Sequence, residues 1–435
     1  MSFLEMGRRA CFWAMDAVKG SPVKKELEIL ENLNSQVQDD DFENRTDVKK
    51  LLEHAVSTTD FYSHFDATDL SSFPLITKAT LKENYEQFLS SSFDKDSLFR
   101  MTTSGSTGTP FTCLQDYRKK KATYAEVLYY NGMIGYSIGK KIIYLRSVVE
   151  ECSKTPIQQF MQNIYLVDCN DLSDEGIERM LTRIASLTKR EPAMMMGYAS
   201  TLDAFRDYFT RNDNRLAKQA HIYGVISGSE MLFDDTRKAI EQAFSCTCLS
   251  RYANEENGFL GQDLYRPNEF VIDNAHYVYE IVDFDSDKPS PKGQVGRIVV
   301  TDLRNYAMPM IRYDTGDVGR LENRTFRDKH YTALVDFGGR KVDVIYDCNG
   351  QKISPHAITN LMWKFTGINQ YQLIQKDKGS YLLKINVPDS FSFNEELEHD
   401  LMHVLGIGAN LQVERVDEIP VLSSRKRKYI VNECN

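Results

Sequence analysis

The sequence predicts an α/β fold: a large N-terminal domain of β-sheets covered by helices, a β-rich subdomain, and a small α+β C-terminal domain. Three observations carry this. Between residues 141 and 244 short apolar runs alternate with amphipathic helices, the pattern of a mostly parallel sheet with helices on its faces. After Phe259 the texture becomes β-branched and alternating. At Gly338-Gly339 a glycine pair sets off about 95 residues that read as a compact unit of their own. The expected domains are therefore 1–339 and 340–435.

In order along the chain, residues 1–100 read mostly helical. Leu51, Leu52 and Val56 form an apolar stripe among charges, and Thr80 and Glu83 are spaced as a capping box. A polar, aromatic helix is expected over Tyr117–Gly132. Strands follow at Lys141–Arg146, Ile164–Val167, from Ala193, and at His221–Ser227. Helices are expected after Ser173, over Thr201–Thr210 and over Asp234–Phe244. Phe270–Ile272, Tyr277–Phe284 and Gly296–Thr301 then read as strands. In the C-terminal unit the helices are Pro355–Phe365 and Phe393–Leu405, the latter with a Ser392/Glu395 capping box. Its strands are Tyr371–Gln375, Tyr381–Val387 and Leu411–Val416.

The bulk numbers exclude several classes. Of 435 residues, 53 are Lys or Arg and 62 Asp or Glu, a net charge of −9, so no global basic field recruits nucleic acid. Met1–Arg9 lacks the apolar core of a signal peptide, and no run of about 18 apolar residues predicts a spanning helix. The eight cysteines are scattered, which points to a reduced, cytoplasmic compartment. Cys246-Thr-Cys248 has no second pair and reads as buried thiols more readily than as a zinc site. His399 and His403 stand four apart on a helix without a third ligand nearby, and read as a surface or core pair.

One stretch draws chemistry to itself. In Thr103-Ser104-Gly105-Ser106-Thr107-Gly108 hydroxyls alternate with glycines, so a tightly folded backbone can bring hydroxyl and N–H groups onto anionic oxygens. It is not a Walker loop, because Thr109-Pro110 follows Gly108 where Lys-Ser/Thr is required. Taken alone it reads equally well as a polar surface turn.

Taken with later segments, the stretch resembles the first of a set of ordered motifs. The chain resembles the adenylate-forming enzymes of the acyl-CoA synthetase superfamily, nearest the branch of phenylacetate–CoA ligases, coenzyme F390 synthetases and CapK-type capsule biosynthesis proteins. The likeness runs from about Leu75 to Lys428. It implies that Thr103–Gly108 holds the ATP phosphates, with Thr107 close to the reaction, although Phe111 stands where relatives carry a lysine after the proline. Ser227-Gly228-Ser229-Glu230 is similar to the segment lining the adenine pocket. In Arg251-Tyr-Ala-Asn-Glu-Glu256 the likeness puts Tyr252 on the base and Glu256 on Mg²⁺; Glu255 occupies the usual Ser/Thr position and competes for that role. In Arg312-Tyr-Asp-Thr-Gly-Asp317 the ribose ligand is Asp317. Arg340 matches the ATP-contacting arginine of the hinge into a mobile C-terminal lid, where Val342 replaces the usual Asp or Lys and Asp343 is adjacent. Near the C-terminus the adenylation lysine falls on Lys426, with Lys428 as the other candidate.

The resemblance implies an ATP-dependent ligase that makes an acyl-adenylate, AMP and pyrophosphate, using Mg²⁺ and coenzyme A as the acceptor. The alternative acceptor is an amine or sugar, as for CapK-type proteins. The implied partners are a small carboxylic acid and its acyl acceptor, and a homodimer is compatible with the reading. Two rivals stand: a weakened nucleotide-binding relative, and a kinase or hydrolase releasing ADP and phosphate. Met194–Tyr198 and the aromatic helix Tyr124–Tyr130 are candidates for lining an acid pocket and equally for core.

Overall fold

The computed structural model describes residues 2–38, 42–103, 111–147, 155–284, 286–338, 345–353, 355–362, 365, 368, 370–388, 391, 395–419 and 429–434. The N-terminal helices are α1 (Phe3–Val18), α2 (Pro22–Leu33), α3 (Thr46–Thr58) and α4 (Lys78–Glu83). Leu51, Leu52 and Ala55 of α3 enter a core with Tyr62, Phe73 and Phe88, which explains the stripe seen in the sequence. The capping box lies three residues earlier than expected. Thr77 Oγ1 accepts from Thr80 N at 3.2 Å and Thr80 Oγ1 from Thr77 N at 3.2 Å, so Thr80 closes the box and Glu83 ends the helix. A hydroxyl at the third helical position satisfies the cap N–H as a Glu side chain would.

An antiparallel hairpin follows, β1 (Phe99–Thr103) and β2 (Phe111–Gln115), with Thr103 opposite Phe111. Asp116 caps α5 (Tyr117–Gly132), its Oδ1 accepting from Lys119 N at 2.8 Å. The α/β region contains β3 (Lys141–Arg146), α6 (Pro156–Gln162), β4 (Ile164–Asp168), α7 (Asp174–Thr188), β5 (Ala193–Tyr198), α8 (Ala199–Arg211), α9 (Arg215–Gln219), β6 (Ile222–Gly228), α10 (Asp234–Phe244) and β7 (Thr247–Asn254). Then come β8 (Gly258–Arg266), β9 (Glu269–Ile272), β10 (Tyr277–Val282), β11 (Gly296–Asp302), β12 (Tyr313–Phe326) and β13 (Lys329–Gly338).

These strands form one eleven-stranded sheet, ordered β10-β11-β12-β13-β9-β8-β7-β6-β5-β3-β4. From β4 to β7 every pair is parallel; from β7 onward every pair is antiparallel. The expected mostly parallel sheet and β-rich subdomain are thus two halves joined at β7. One face of the parallel half buries Ile143, Leu145, Met195, Val225 and Cys248 in a core shared with α7, α8 and α10. The other carries a smaller cluster around Ile142, Met194 and Ile226. Met194, Met195 and Tyr130 are core residues.

The C-terminal region has β14 (Ile345–Tyr346), β15 (Lys352–Ile353), α11 (Pro355–Met362), β16 (Gln370–Asp377), β17 (Ser380–Asn386), α12 (Glu395–Leu405), β18 (Asn410–Arg415) and β19 (Ile430–Asn432). β18-β17-β16-β19 form a four-stranded sheet whose core draws only on residues from Ile345 to Ile430. β14, β15 and β19 have two or three residues each, too short to leave a period in the sequence. The expected boundary at Gly339–Arg340 and the cap residue Ser392 lie outside the described residues.

Candidate functional site

The parallel strands end together at their carboxyl edge. Tyr144 lies opposite Met196, Tyr198 opposite Gly228, and Ser227 opposite Ser250. Continuing along each strand brings Arg146, Tyr198, Gly228 and Arg251 into one row. Where most of these strands is buried, Tyr144, Arg146, Met196, Tyr198 and Gly228 are half-buried. A side chain at Gly228 would meet nothing within 4 Å, so space opens in the row. Ligands collect at such carboxyl edges because helices cover the sheet faces and leave the strand ends open.

Gly228, Ser229 and Glu230, expected beside an adenine, form the turn out of β6. Ser229 has a left-handed φ of 69°, which swings the chain away and leaves Gly228 open. Glu230 Oε2 accepts from Ser200 N at 2.7 Å, satisfying a backbone donor at the start of α8.

Tyr252 and Asp317, 65 residues apart, meet: the Tyr252 hydroxyl donates to Asp317 Oδ2 at 3.1 Å. The Tyr252 ring is tilted against Phe337 with centroids 4.7 Å apart. Asp317 sits on a tight turn made by Gly316, with φ 69°. There Gly316 N donates to Asp314 Oδ1 at 2.8 Å, and Asp317 N to Thr315 Oγ1 at 3.2 Å. Arg297 holds Asp314 by an ion pair of 2.8 Å.

Glu256 is no solvated loop residue; it is 6% exposed. Lys78 Nζ lies 3.0 Å from its Oε1, and the Tyr313 hydroxyl donates to the same oxygen at 3.4 Å. Glu255, its exposed neighbour, is pushed above the usual carboxylate range by desolvation and by the charge of Glu256. Of the two expected metal ligands, Glu256 is the one already held against a cation.

Lys78 and Tyr313 were not legible as site residues. Ile76 N donates to Arg312 O at 3.0 Å and Asp314 N to Ile76 O at 2.8 Å, so the chain before α4 runs beside Tyr313 and delivers Lys78 to Glu256. In the sequence Lys78 is only the residue after a helix cap. Its ammonium also stands 5.8 Å from the Phe111 ring centroid, at the mouth of the β1–β2 hairpin. Burial, then the charge of Lys78, draw Lys82 down to about 8.

Ser104, Gly105, Ser106, Thr107 and Gly108, together with Arg340, Val342, Asp343, Lys426 and Lys428, lie outside the described residues; Thr103 closes β1. Among the described residues Cys246 and Cys248 join no third ligand, and burial raises the Cys246 thiol to about 12. His399 is largely exposed and pairs with Asp400.

Known proteins resemble the chain in sequence and in fold. The family model for the CapK C-terminal domain matches residues 345–433. Among solved structures, a 2-hydroxyisobutyryl-CoA ligase in complex with 2-HIB-AMP and CoA superposes with a TM-score of 0.59 at 15% identity, covering 89% of this chain and 88% of the other. The chain has the fold of these adenylate-forming ligases. Protein CapK of Staphylococcus aureus is 24% identical over 84% of this chain and 80% of its own length. The phenylacetate-coenzyme A ligase of Aromatoleum evansii is 27% identical over 37% of this chain and 39% of its own length. The resemblance read from the motifs is thus accompanied by similarity to CapK over most of the chain and to a phenylacetate–CoA ligase over part of it. Among the described residues no helix is long and apolar enough to cross a membrane.

Proposed function

We propose that the protein is an ATP-dependent carboxylate-activating ligase. The observation that carries this reading is the convergence of Tyr252, Asp317, Glu256 and Lys78 beside the open carboxyl edge of the sheet. The acid's carboxylate oxygen attacks the α-phosphorus of ATP, the bond to the bridging oxygen breaks, and pyrophosphate leaves with that electron pair. Little acid–base chemistry is needed; positioning and electrostatic stabilisation do the work. Asp317 would accept from the ribose hydroxyls, and Tyr252 would flank the base. The Gly228–Glu230 turn would line the adenine pocket. Glu256 would hold Mg²⁺, a hard cation suited to carboxylate oxygen; when bound it neutralises charge on the phosphates. Thr103–Gly108 would cradle those phosphates, Arg340 would contact the nucleotide, and Lys426 would bridge carboxylate and α-phosphate.

In the second step a nucleophile attacks the acyl carbon and AMP leaves, after the 340–435 domain has swung to admit it. Coenzyme A is the acceptor favoured by the phenylacetate–CoA ligase likeness and by the CoA-bound structural neighbour. The CapK C-terminal match favours a second acceptor class, an amine or sugar of envelope polysaccharide. A cytoplasmic site and a homodimer complete the reading.

ATP–pyrophosphate exchange across a panel of carboxylic acids tests it, with Lys426→Ala and Lys428→Ala alongside. Acid-dependent exchange that Lys426→Ala abolishes is the expected result. Loss in Lys428→Ala alone moves the lysine assignment, and ADP as product removes the ligase reading.

A further inference from the structure

On the ligase reading, the row at the carboxyl edge also names the class of acid. Neighbouring residues of a strand point to opposite faces, so Arg251 leaves β7 on the side opposite Tyr252. Its guanidinium stacks 4.2 Å from the Phe259 ring centroid. It donates to Asn131 of α5 and, at 3.5 Å, to Gln262, both neutral. Its buried Nε has no hydrogen-bond partner. Arg146 lies in the same row with its guanidinium 5.5 Å from the Tyr144 ring centroid, and its buried Nε is equally unpartnered.

Other buried arginines pair with carboxylates. Arg237 holds Asp263, Arg297 holds Asp314, Arg304 holds Glu26 and Arg312 holds Glu280. Among the described residues Arg251 and Arg146 enter no such pair. Burial draws Arg251 down to about 10, with only the Tyr144 phenol opposing. Between the two arginines in the row stand Tyr198 and Gly228, the glycine marking the border with the proposed adenine pocket. Glu255 is the acid that feels Arg146, from beyond ion-pair reach.

We infer that this row binds the far end of the activated acid, and that this end is a second anionic group, as in a dicarboxylate. An aryl or alkyl tail would shut two guanidinium groups away from water with nothing to offset them, a costly burial. An anion completes charge-assisted, fork-shaped hydrogen bonds to both. Tyr252, assigned to the nucleotide, points to one face of β7, so Arg251 stands on the face away from it, where the far end of the acid would lie.

The test is exchange with matched acids: succinate against butyrate, glutarate against pentanoate, 3-sulfopropanoate, and phenylacetate. Acids with a second anion are expected to exceed their partners by at least about 10-fold in kcat/KM, the worth of one charge-assisted contact. Arg146→Gln and Arg251→Gln should each cut that ratio by at least about 5-fold while AMP affinity, read by calorimetry, stays within about 2-fold. Preference for phenylacetate or butyrate, or an unchanged ratio in both variants, overturns the inference and leaves the ligase reading standing. A protein that binds AMP but exchanges with no acid removes both.

Discussion

The molecule holds two clusters of charge, one closed and one open. In the closed cluster Lys119 Nζ reaches Asp302 Oδ2 at 2.8 Å and donates to the Tyr277 hydroxyl at 2.7 Å. His276 pairs with Glu126 at 2.9 Å and with Glu26 at 3.2 Å, and Arg304 pairs with Glu26 at 3.0 Å. Glu126, Asp273 and His276 lie close enough to suggest a metal site, but Lys119 and Arg304 already supply the positive charge. These groups tie α2 and α5 to β10 and the end of β11. In the open cluster the buried Nε atoms of Arg146 and Arg251 have no hydrogen-bond partner, and Glu256 lies against Lys78 and Tyr313 beside the open edge. Burial of charge does not by itself mark function. Incomplete pairing beside space does.

The comparison can be broken at its strongest point by Lys119→Met. It strands Asp302 and Glu126 in the interior, and urea unfolding should show a loss of about 3–5 kcal/mol; a loss below about 1 kcal/mol would place the cluster outside the fold's support.

Acid titration of unfolding comes next. Arg304, His276 and Arg118 outweigh burial and hold Glu26 at about 2 against an ordinary 4.5. Its contribution is present above pH 4.5 and drains away as pH falls toward about 2, on the order of 3 kcal/mol in all. Burial works against the charged form of His276, but Asp273, Glu126 and Glu26 raise its pKa above 6.5. Its contribution is therefore full below 6.5 and lost as pH rises through the folded value. Glu26→Gln should flatten the acid limb.

The open cluster should respond in binding instead. Asp317→Ala is expected to weaken AMP at least about 10-fold by calorimetry, since a carboxylate accepting from hydroxyls is worth about 1.5–3 kcal/mol, with little change in unfolding midpoint. Smallest of all, Arg215→Ala removes an exposed pair with Asp213 and should move stability by less than about 0.5 kcal/mol.

The contrast also explains what the sequence could reveal. The parallel half was readable because each strand there is a buried apolar run and each helix has one apolar face; α5 and α10 fall where expected, at Tyr117–Gly132 and Asp234–Phe244. The antiparallel half was less so, because β12 and β13 form a long half-exposed ribbon with alternating charges, Arg320, Glu322 and Arg324 among them. In the site, motifs with glycine or paired acids announced Asp317 and Glu256. Lys78 did not, since its meeting with Glu256 depends on the backbone of Ile76 pairing beside Tyr313 across more than 200 residues of chain. Arg146 and Arg251 carry no motif; only strand register puts them in one row.

The central claim is that the open cluster activates carboxylates with ATP. Incubation with Mg²⁺, ATP, succinate and hydroxylamine, followed by chromatography of the nucleotides, tests it without knowledge of the natural acceptor. The account predicts AMP and the acid's hydroxamate in equal amounts, both dependent on the acid. ADP as the product, or AMP formed at the same rate without acid, would contradict it.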